Sequence, residues 1–439
     1  MIFKNILLAY QLENYKNIRF LKFIYSHPKF SLIGSKRQVL DLTLKAKFIL
    51  IFAILLFIEL IIAYLTFSVY YIFFPFCFFL LPLSFIVANI CLYPIDTYLK
   101  NRIISQAKKK IASFPHLKVI AITSYGKTTT KEILKTTLSP SFNVLATEGT
   151  KNTPLGISRL ILDELNTSHE IFIVEMAYTK NIKELCNIVH PNISIITGIT
   201  LQHLERFKSL DNIIDTKFEI LECLKNDFAV VDMSTEVQKL KEKLLQVKNI
   251  IQIDTDIPYT YKENLLICFQ IAGKTIETKL LAYVRNTFSI CYEVKYLGQD
   301  ISDFEKVSQV EFVEHRMQLI YNPQSDVFVL DDSFNNLEIA IFDLMRHAPF
   351  YGRKILVAGI VELGETEIIH KKLKNISELA DLVLLVEPVN ALELLHEHSY
   401  PQEKIQKYPS ALMLHEDIKN IIKKGDLIIF QNDLPDHYL

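Results

Sequence analysis

Gly126, Lys127 and Thr128 form the part of this chain best suited to chemistry, within the run Val119-Ile-Ala-Ile-Thr-Ser-Tyr-Gly-Lys-Thr-Thr-Thr-Lys131. A lysine ammonium supplies a point charge to the β- and γ-phosphates of a nucleotide. A threonine hydroxyl can hold Mg²⁺, and backbone N–H groups at a helix N-terminus face the anion. The usual spacing for such a turn is G-x-x-x-x-G-K-[ST]; here the first glycine is absent and Ala121 stands at its position. G-K-T alone is a weak match, and a plain strand-to-helix turn competes with it. The flanks add weight: the β-branched run Val119–Thr123 precedes the turn and the helix-like Lys131–Leu138 follows it. Ser124, Tyr125, Gly126, Lys127, Thr128 and Thr129 are therefore the expected nucleotide contacts.

Further polar residues stand where open α/β sheets place ligands, just beyond the carboxyl ends of strands. Glu175 closes the apolar run Ile171-Phe-Ile-Val-Glu175. His203 and Glu205 follow Ile195-Ile-Thr-Gly198, and Lys217 lies on a helical stretch soon afterwards. Singly, each has a bland reading: a solvated strand-end acid, a structural histidine, a surface lysine. Behind a G-K-T turn, Glu175 and His203 can supply oxygen and imidazole to a divalent metal.

These residues need a sheet to hold them, and apolar runs do alternate with helical patterns. Expected strands are Val119–Thr123, Glu170–Met176, Ile193–Thr197, Ala229–Val231 and Ile250–Ile253; expected helices are Pro154–Leu165, Ile182–Val189 and Leu210–Leu224. The alternation predicts a doubly wound α/β domain with a largely parallel sheet. Residues 258–293 add a smaller, more β-like part. A helix-like stretch spans Ile301–Val310. Beyond Glu314-His-Arg-Met317 a second, Rossmann-like alternation runs through Val327–Leu330, Leu337–Met345, Lys354–Ala358, Thr366–Leu379, Asp381–Val386, Ala391–His396 and Leu427–Phe430.

With 439 residues, 48 basic and 49 acidic, the chain has room for two or three domains and no basic field for nucleic acid. Six cysteines without C-x-x-C spacing suit a reducing compartment rather than a zinc ribbon or a disulfide framework. Between Phe48 and Pro94 the only charge is Glu59. That run is too long for one span of about 20 residues and fits two. A hairpin of Phe48–Phe67 and Val69–Leu92 is expected, turning near Thr66-Phe67-Ser68, with Pro75 and Pro82 kinking the second helix or marking its entry. Lys36, Arg37, Lys45 and Lys47 flank one end; Lys100, Arg102, Lys108, Lys109 and Lys110 flank the other. The positive-inside rule then places both termini in the cytoplasm and makes the chain a multi-pass protein of the cell membrane. A buried helical pair in a soluble protein is the competing reading. Residues 1–47 read as a cytoplasmic amphipathic segment near the headgroups, 48–94 as the transmembrane hairpin and 95–116 as a linker.

From residue 117 onward the chain resembles the Mur ligase family of ATP-dependent amide-forming enzymes. The likeness rests on an ordered series: Tyr125-Gly-Lys-Thr-Thr-Thr130, Asn152-Thr-Pro-Leu-Gly-Ile157, Val174-Glu-Met176, Gln202-His-Leu-Glu205, Lys217-Phe-Glu-Ile220, His315-Arg-Met317, Asp331-Asp-Ser-Phe-Asn335, Gly359-Ile-Val-Glu-Leu-Gly-Glu365 with His370, and Gln431-Asn-Asp-Leu-Pro-Asp436. The resemblance implies a central ATP-binding domain (117–313) and a C-terminal domain (314–439). It implies that Lys127 and Gly126 hold the β/γ-phosphates and that Thr128, Glu175 and His203 hold Mg²⁺. Lys217 matches the family's carbamylated lysine, which also serves the metal, and Lys127, His203 and Lys217 would carry the catalysis. Asn286 matches the adenine-contacting residue, while Arg316 and Asp332 would reach the nucleotide when the domains close. The implied reaction belongs to peptidoglycan precursor synthesis: D-alanyl-D-alanine or a similar amine is added to a muramyl-peptide-like carboxylate through an acyl phosphate.

Three departures bear on that implication. The turn is one residue short against the family pattern. Lys279-Leu-Leu-Ala-Tyr-Val-Arg285 replaces the family's Gly and His ahead of Asn286. The membrane hairpin occupies the place of the family's UDP-gripping N-terminal domain, which makes a lipid-linked precursor a candidate substrate. Two other readings stand beside the first: a Mur-type ligase for another polymer (poly-glutamate or folate-like), and a catalytically lapsed scaffold at the membrane.

Overall fold

The computed structural model describes residues 2–12, 15–26, 40–66, 74–124, 126–148, 152–176, 182–199, 207, 209–224, 228–232, 250–253, 257–262, 266–271, 273–278, 290–291, 294, 318–332, 338–348, 352–358, 379–386 and 401–431. Residues 1–103 and 104–435 form two compact units.

The first unit is helical. Helices α1 (Ile2–Leu12), α2 (Asn17–Ser26), α3 (Leu44–Thr66) and α4 (Phe74–Ala112) share a core that includes Leu7, Tyr10, Phe20, Ile49, Ala53 and Phe85. Helix α3 starts four residues before the expected Phe48 because Leu44, Lys45, Ala46 and Lys47 are all good helix formers. Thr43 caps it, its Oγ1 accepting from Ala46 N at 3.1 Å. A polar cluster closes one end of the bundle. Asp96 accepts from Lys45 Nζ at 2.9 Å and pairs with Lys100 Nζ at 2.8 Å, while Lys45 lies 4.4 Å over the Tyr15 ring. The stretch 95–116, expected as a linker, is helical as far as Ala112. Its Lys, Ala, Leu and Arg residues favour helix, and Ala107 and Ile111 are buried in the core of the second unit. Pro75 stands at the entry of α4, whereas Pro82 and Pro94 lie inside it. Among the described residues, Leu81–Ala112 is long and apolar enough to cross a membrane by length and composition.

The second unit opens on a six-stranded, all-parallel sheet in the order β2-β3-β1-β4-β5-β6. Its strands are β1 (Lys118–Thr123), β2 (Val144–Ala146), β3 (Ile171–Glu175), β4 (Ile193–Ile196), β5 (Phe228–Asp232) and β6 (Ile250–Ile253). Alternation along β1 sends Val119 and Ala121 to one core and Ile120 and Ile122 to the other, so both faces of the sheet are covered. One face packs on α6 (Pro154–Asp163), α7 (Ile182–Val189) and α8 (Leu210–Phe218). The other takes α5 (Lys127–Leu138) and an antiparallel three-stranded sheet of β7 (Tyr259–Tyr261), β8 (Ile267–Ile271) and β9 (Lys274–Thr278). Strand β2, only three residues long, has no sequence expectation behind it. The helix expected to reach Leu224 ends at Phe218, and a short 3-10 turn, Leu221–Cys223, follows.

A second six-stranded sheet has the order β10-β11-β15-β12-β13-β14. It is built from β10 (Gln318–Asn322), β11 (Val327–Asp332), β12 (Lys354–Ala358), β13 (Leu382–Val386), β14 (Ile405–Tyr408) and β15 (Leu427–Gln431), with α9 (Glu338–His347) and α10 (Ala411–Ile421) between strands. Only the β10–β11 hairpin is antiparallel. Asp426, 1% exposed, pins β15 to β12 by accepting from Arg353 N at 3.0 Å and pairing with Arg353 Nη2 at 2.7 Å. The helix-like stretch over 301–310, the segment 391–396, and the expected helix over 366–379 apart from its last residue lie outside the described residues.

Candidate functional site

Strand β1 is the pivot of the central sheet. From it the chain crosses to β2, returns through β3, and then passes to β4 on the other side, which makes the carboxyl end of β1 a topological switch point. Three residues, 124–126, join β1 to α5. Ala121, at the position of the usual first glycine, is a fully buried strand residue, so the whole turn is made beyond Thr123.

The turn is tightly wound. Ser124 has φ 87°, a left-handed conformation that costs about 1–3 kcal/mol in a non-glycine residue. Its hydroxyl is tied to the carbonyl of Gly198, just past β4. Gly126 is the N-cap of α5 at φ 64°, ψ 5°, a region where a missing Cβ removes the steric penalty. Among the described residues no side chain caps α5, whereas Thr153 caps α6 and Ser209 caps α8 through their own oxygens. The first N–H groups of α5 thus keep donors for an anion, and the helix dipole adds positive potential there.

Around this opening the structure brings together several of the expected residues. Thr128 Oγ1 donates to Glu175 Oε2 at 3.2 Å. Both are buried, Glu175 to 2% exposure. Lys217, 5% exposed, lies with its ammonium 5.6 Å from the centre of the Phe207 ring. Burial, and secondly the positive charge of Lys127, lower its pKa from 10.5 to about 7. Lys127 and Lys217 therefore share one electrostatic neighbourhood. Thr129 is buried in the first turn of α5. Asp332 ends β11, with its backbone opposite Gln431 of β15. Tyr125, His203, Asn286 and Arg316 lie outside the described residues.

Two participants escaped the sequence reading. Lys131, 2% exposed, has Nζ 3.1 Å from Glu175 Oε1 and donates to the Thr147 carbonyl at 2.7 Å. Thr147 Oγ1 in turn accepts from Glu175 N at 3.0 Å. The available signal was spacing: Lys131 sits four residues after Lys127 and three after Thr128, on one face of α5. Among the described residues no three His, Cys, Asp or Glu side chains cluster as a metal cage. Mg²⁺ needs none, because it commonly takes one or two protein oxygens plus phosphate and water. Thr128 and Glu175 supply two hard oxygens, Thr128 Oγ1 and Glu175 Oε2, while Glu175 Oε1 faces the Lys131 ammonium.

A switch-point turn leading into a helix, with lysine, threonine and a facing carboxylate, gives this α/β protein a P-loop-type strand–turn–helix. Residues 123–300 match the Mur ligase middle domain. The chain is similar to the UDP-N-acetylmuramoyl-tripeptide–D-alanyl-D-alanine ligases. It is 28% identical to that of Rickettsia prowazekii over 284 residues, 58% of this chain and 62% of the relative. To the Bacillus subtilis ligase it is 26% identical over 343 residues, 72% of each chain. In fold it is similar to the MurF ligase from Thermotoga maritima in complex with ADP, with a TM-score of 0.64 and 23% identity, over 76% of this chain and 80% of that one. The mixed α/β architecture with parallel sheets is that of these ligases.

Proposed function

We propose that the chain is an ATP-dependent carboxylate–amine ligase of peptidoglycan precursor synthesis, joining D-alanyl-D-alanine or a similar amine to a muramyl-peptide carboxylate. The observation that carries the reading is the Thr128–Glu175 pair, 3.2 Å apart beside the uncapped start of α5. That arrangement suits a triphosphate and its Mg²⁺, and it lies inside the matched domain.

In this reading the N–H groups after Gly126 and the Lys127 ammonium hold the β- and γ-phosphates. The acceptor carboxylate oxygen attacks Pγ, the bond to the ADP oxygen breaks, and an acyl phosphate forms. The amine nitrogen then attacks the acyl carbon, phosphate leaves, and the amine gives up a proton. Two anions must meet in the first step, so the concentrated positive charge of Lys127 lowers its barrier. Mg²⁺ would sit on Thr128 and Glu175 and neutralise charge on the transferring phosphoryl. Lys217 is suited to carbamylation. With a pKa near 7 much of it is neutral amine, which can add CO₂ and release a proton to become an anionic oxygen ligand. His203 as a further metal ligand, Asn286 at adenine, and Arg316 and Asp332 at the nucleotide complete the proposal. So does the division into a central domain, 117–313, and a C-terminal domain, 314–439.

The exposed apolar side chains of α3 (Phe48, Ile51, Leu55, Ile58, Ile62) and α4 (Leu83, Val87, Ile90) support a membrane-anchored form, with α3 and α4 as a hairpin and the catalytic part on the cytoplasmic side. An anchor makes a lipid-linked muramyl peptide a substrate to compare with the UDP-linked one. The test is ATP-dependent phosphate release by the full chain with each muramyl peptide and D-alanyl-D-alanine, with the amide product read by mass spectrometry. Lys127→Ala should cut the rate at least about a hundredfold. Product with glutamate chains alone would favour a ligase for another polymer, and no turnover with retained cell-wall partners would favour the scaffold.

A further inference from the structure

Both carboxylate oxygens of Glu175 are addressed from one helix. Thr128 donates to Oε2 at 3.2 Å, and Lys131, one turn further along α5, approaches Oε1 to 3.1 Å. The lysine's hydrogen bond goes elsewhere, to the carbonyl of Thr147 at 2.7 Å at the end of β2. It therefore steers Glu175 by charge while anchored to a neighbouring strand. Thr147 closes the ring by accepting from Glu175 N. Glu132 Oε1, at the surface, shares the ammonium at 3.0 Å.

We propose that Lys131 is a positioning residue for divalent-cation binding: it orients Glu175 so that Oε2 and the Thr128 hydroxyl present one oxygen pair to the cation that accompanies the nucleotide. Thr128 donates its proton to Oε2 and turns its lone pairs outward, and Lys131 occupies the opposite oxygen. In this proposal the effect of Lys131 on the cation runs through Glu175, whose Oε1 it faces.

This inference rests on the nucleotide reading of the site, and its test is a binding measurement rather than turnover. Mn²⁺ affinity of the full chain is measured by electron paramagnetic resonance with a non-hydrolysable ATP analogue. The set is wild type, Lys131→Met, Glu175→Gln, and the double variant Lys131→Met/Glu175→Gln. Lys131→Met should weaken Mn²⁺ binding about 10–100-fold, as removal of a partner of a metal ligand does. In the Glu175→Gln background the same change should add nothing, because the residue through which it acts is already neutral. The double variant buries no unpaired charge and so provides a folded comparison if Lys131→Met alone does not fold. Wild-type Mn²⁺ affinity in Lys131→Met, or additive losses in the double variant, would overturn the inference. A wild type that binds Mn²⁺–nucleotide yet forms no amide would defeat the ligase reading and leave this one standing. A wild type that binds no Mn²⁺–nucleotide defeats both.

Discussion

Helices α5 and α8 carry the two buried lysines of the site, and they solve opposite problems. On α5, Lys131 is buried against a carboxylate and a carbonyl. On α8, Lys217 is almost as buried, yet among the described residues its ammonium makes no ion pair or hydrogen bond and faces an aromatic ring. Their starts differ as well. Ser209 Oγ caps α8 by accepting from Asn212 N at 3.2 Å, while α5 begins at Gly126 with no side-chain cap. Burial by itself therefore does not fix the state of a lysine. The surroundings do: Lys131 lies against a carboxylate and a carbonyl, whereas burial and Lys127 lower the Lys217 pKa to about 7.

The contrast predicts a ranked set of outcomes. Lys131→Met strands Glu175 without its counter-charge and should cost about 3–5 kcal/mol of stability, read from denaturant midpoints. Adding Glu175→Gln should return much of that, because no charge then stays buried alone. If the single variant is as stable as wild type, Lys131 is not the partner described.

Lys217→Met should behave differently, neutral or stabilising at pH 7. A lysine whose folded pKa lies near 7 and whose unfolded pKa is near 10.5 binds fewer protons folded than unfolded between those values. Wild-type stability should then rise with pH across that window, by at most about 1.4 kcal/mol per pH unit, and the penalty is full below pH 7. The variant should lose that slope in thermal unfolding followed from pH 7 to 9. A slope unchanged by the substitution would show that Lys217 is not the buried amine.

Gly126→Ala forces a side chain into the left-handed region and should cost about 1–2 kcal/mol, with nucleotide binding weakened beyond that loss. Ser209→Ala, the smallest change, should cost about 1 kcal/mol through lost capping of α8 and shift Lys217 with its helix. Equal effects of the two on nucleotide binding would erase the difference between the helix starts.

Much of the central sheet could be read from the chain itself. β1, β3, β4 and β5 are short β-branched runs buried on both faces, and β6 is a similar run at the sheet edge; their length and β-branched content, rather than period, mark them as strands. β2, β10 and β14 were missed because they are short or polar: Gln318–Asn322 and Ile405–Tyr408 lie at sheet edges with few buried residues. The continuation of α4 through the expected linker was missed for another reason. Its charges resemble a solvated connector, and only the burial of Ala107 and Ile111 shows that one face is packed.

The residue order by itself determined the G-K-T turn, the acid at the end of β3 and the family likeness, because strand–turn–helix spacing and residue chemistry are local properties. Tertiary structure alone decided that Lys131 pairs with Glu175 and that Lys217, among the described residues, makes no ion pair. Those contacts join residues from separate helices and strands, and dielectric and counter-charge depend on what folding brings within a few ångströms.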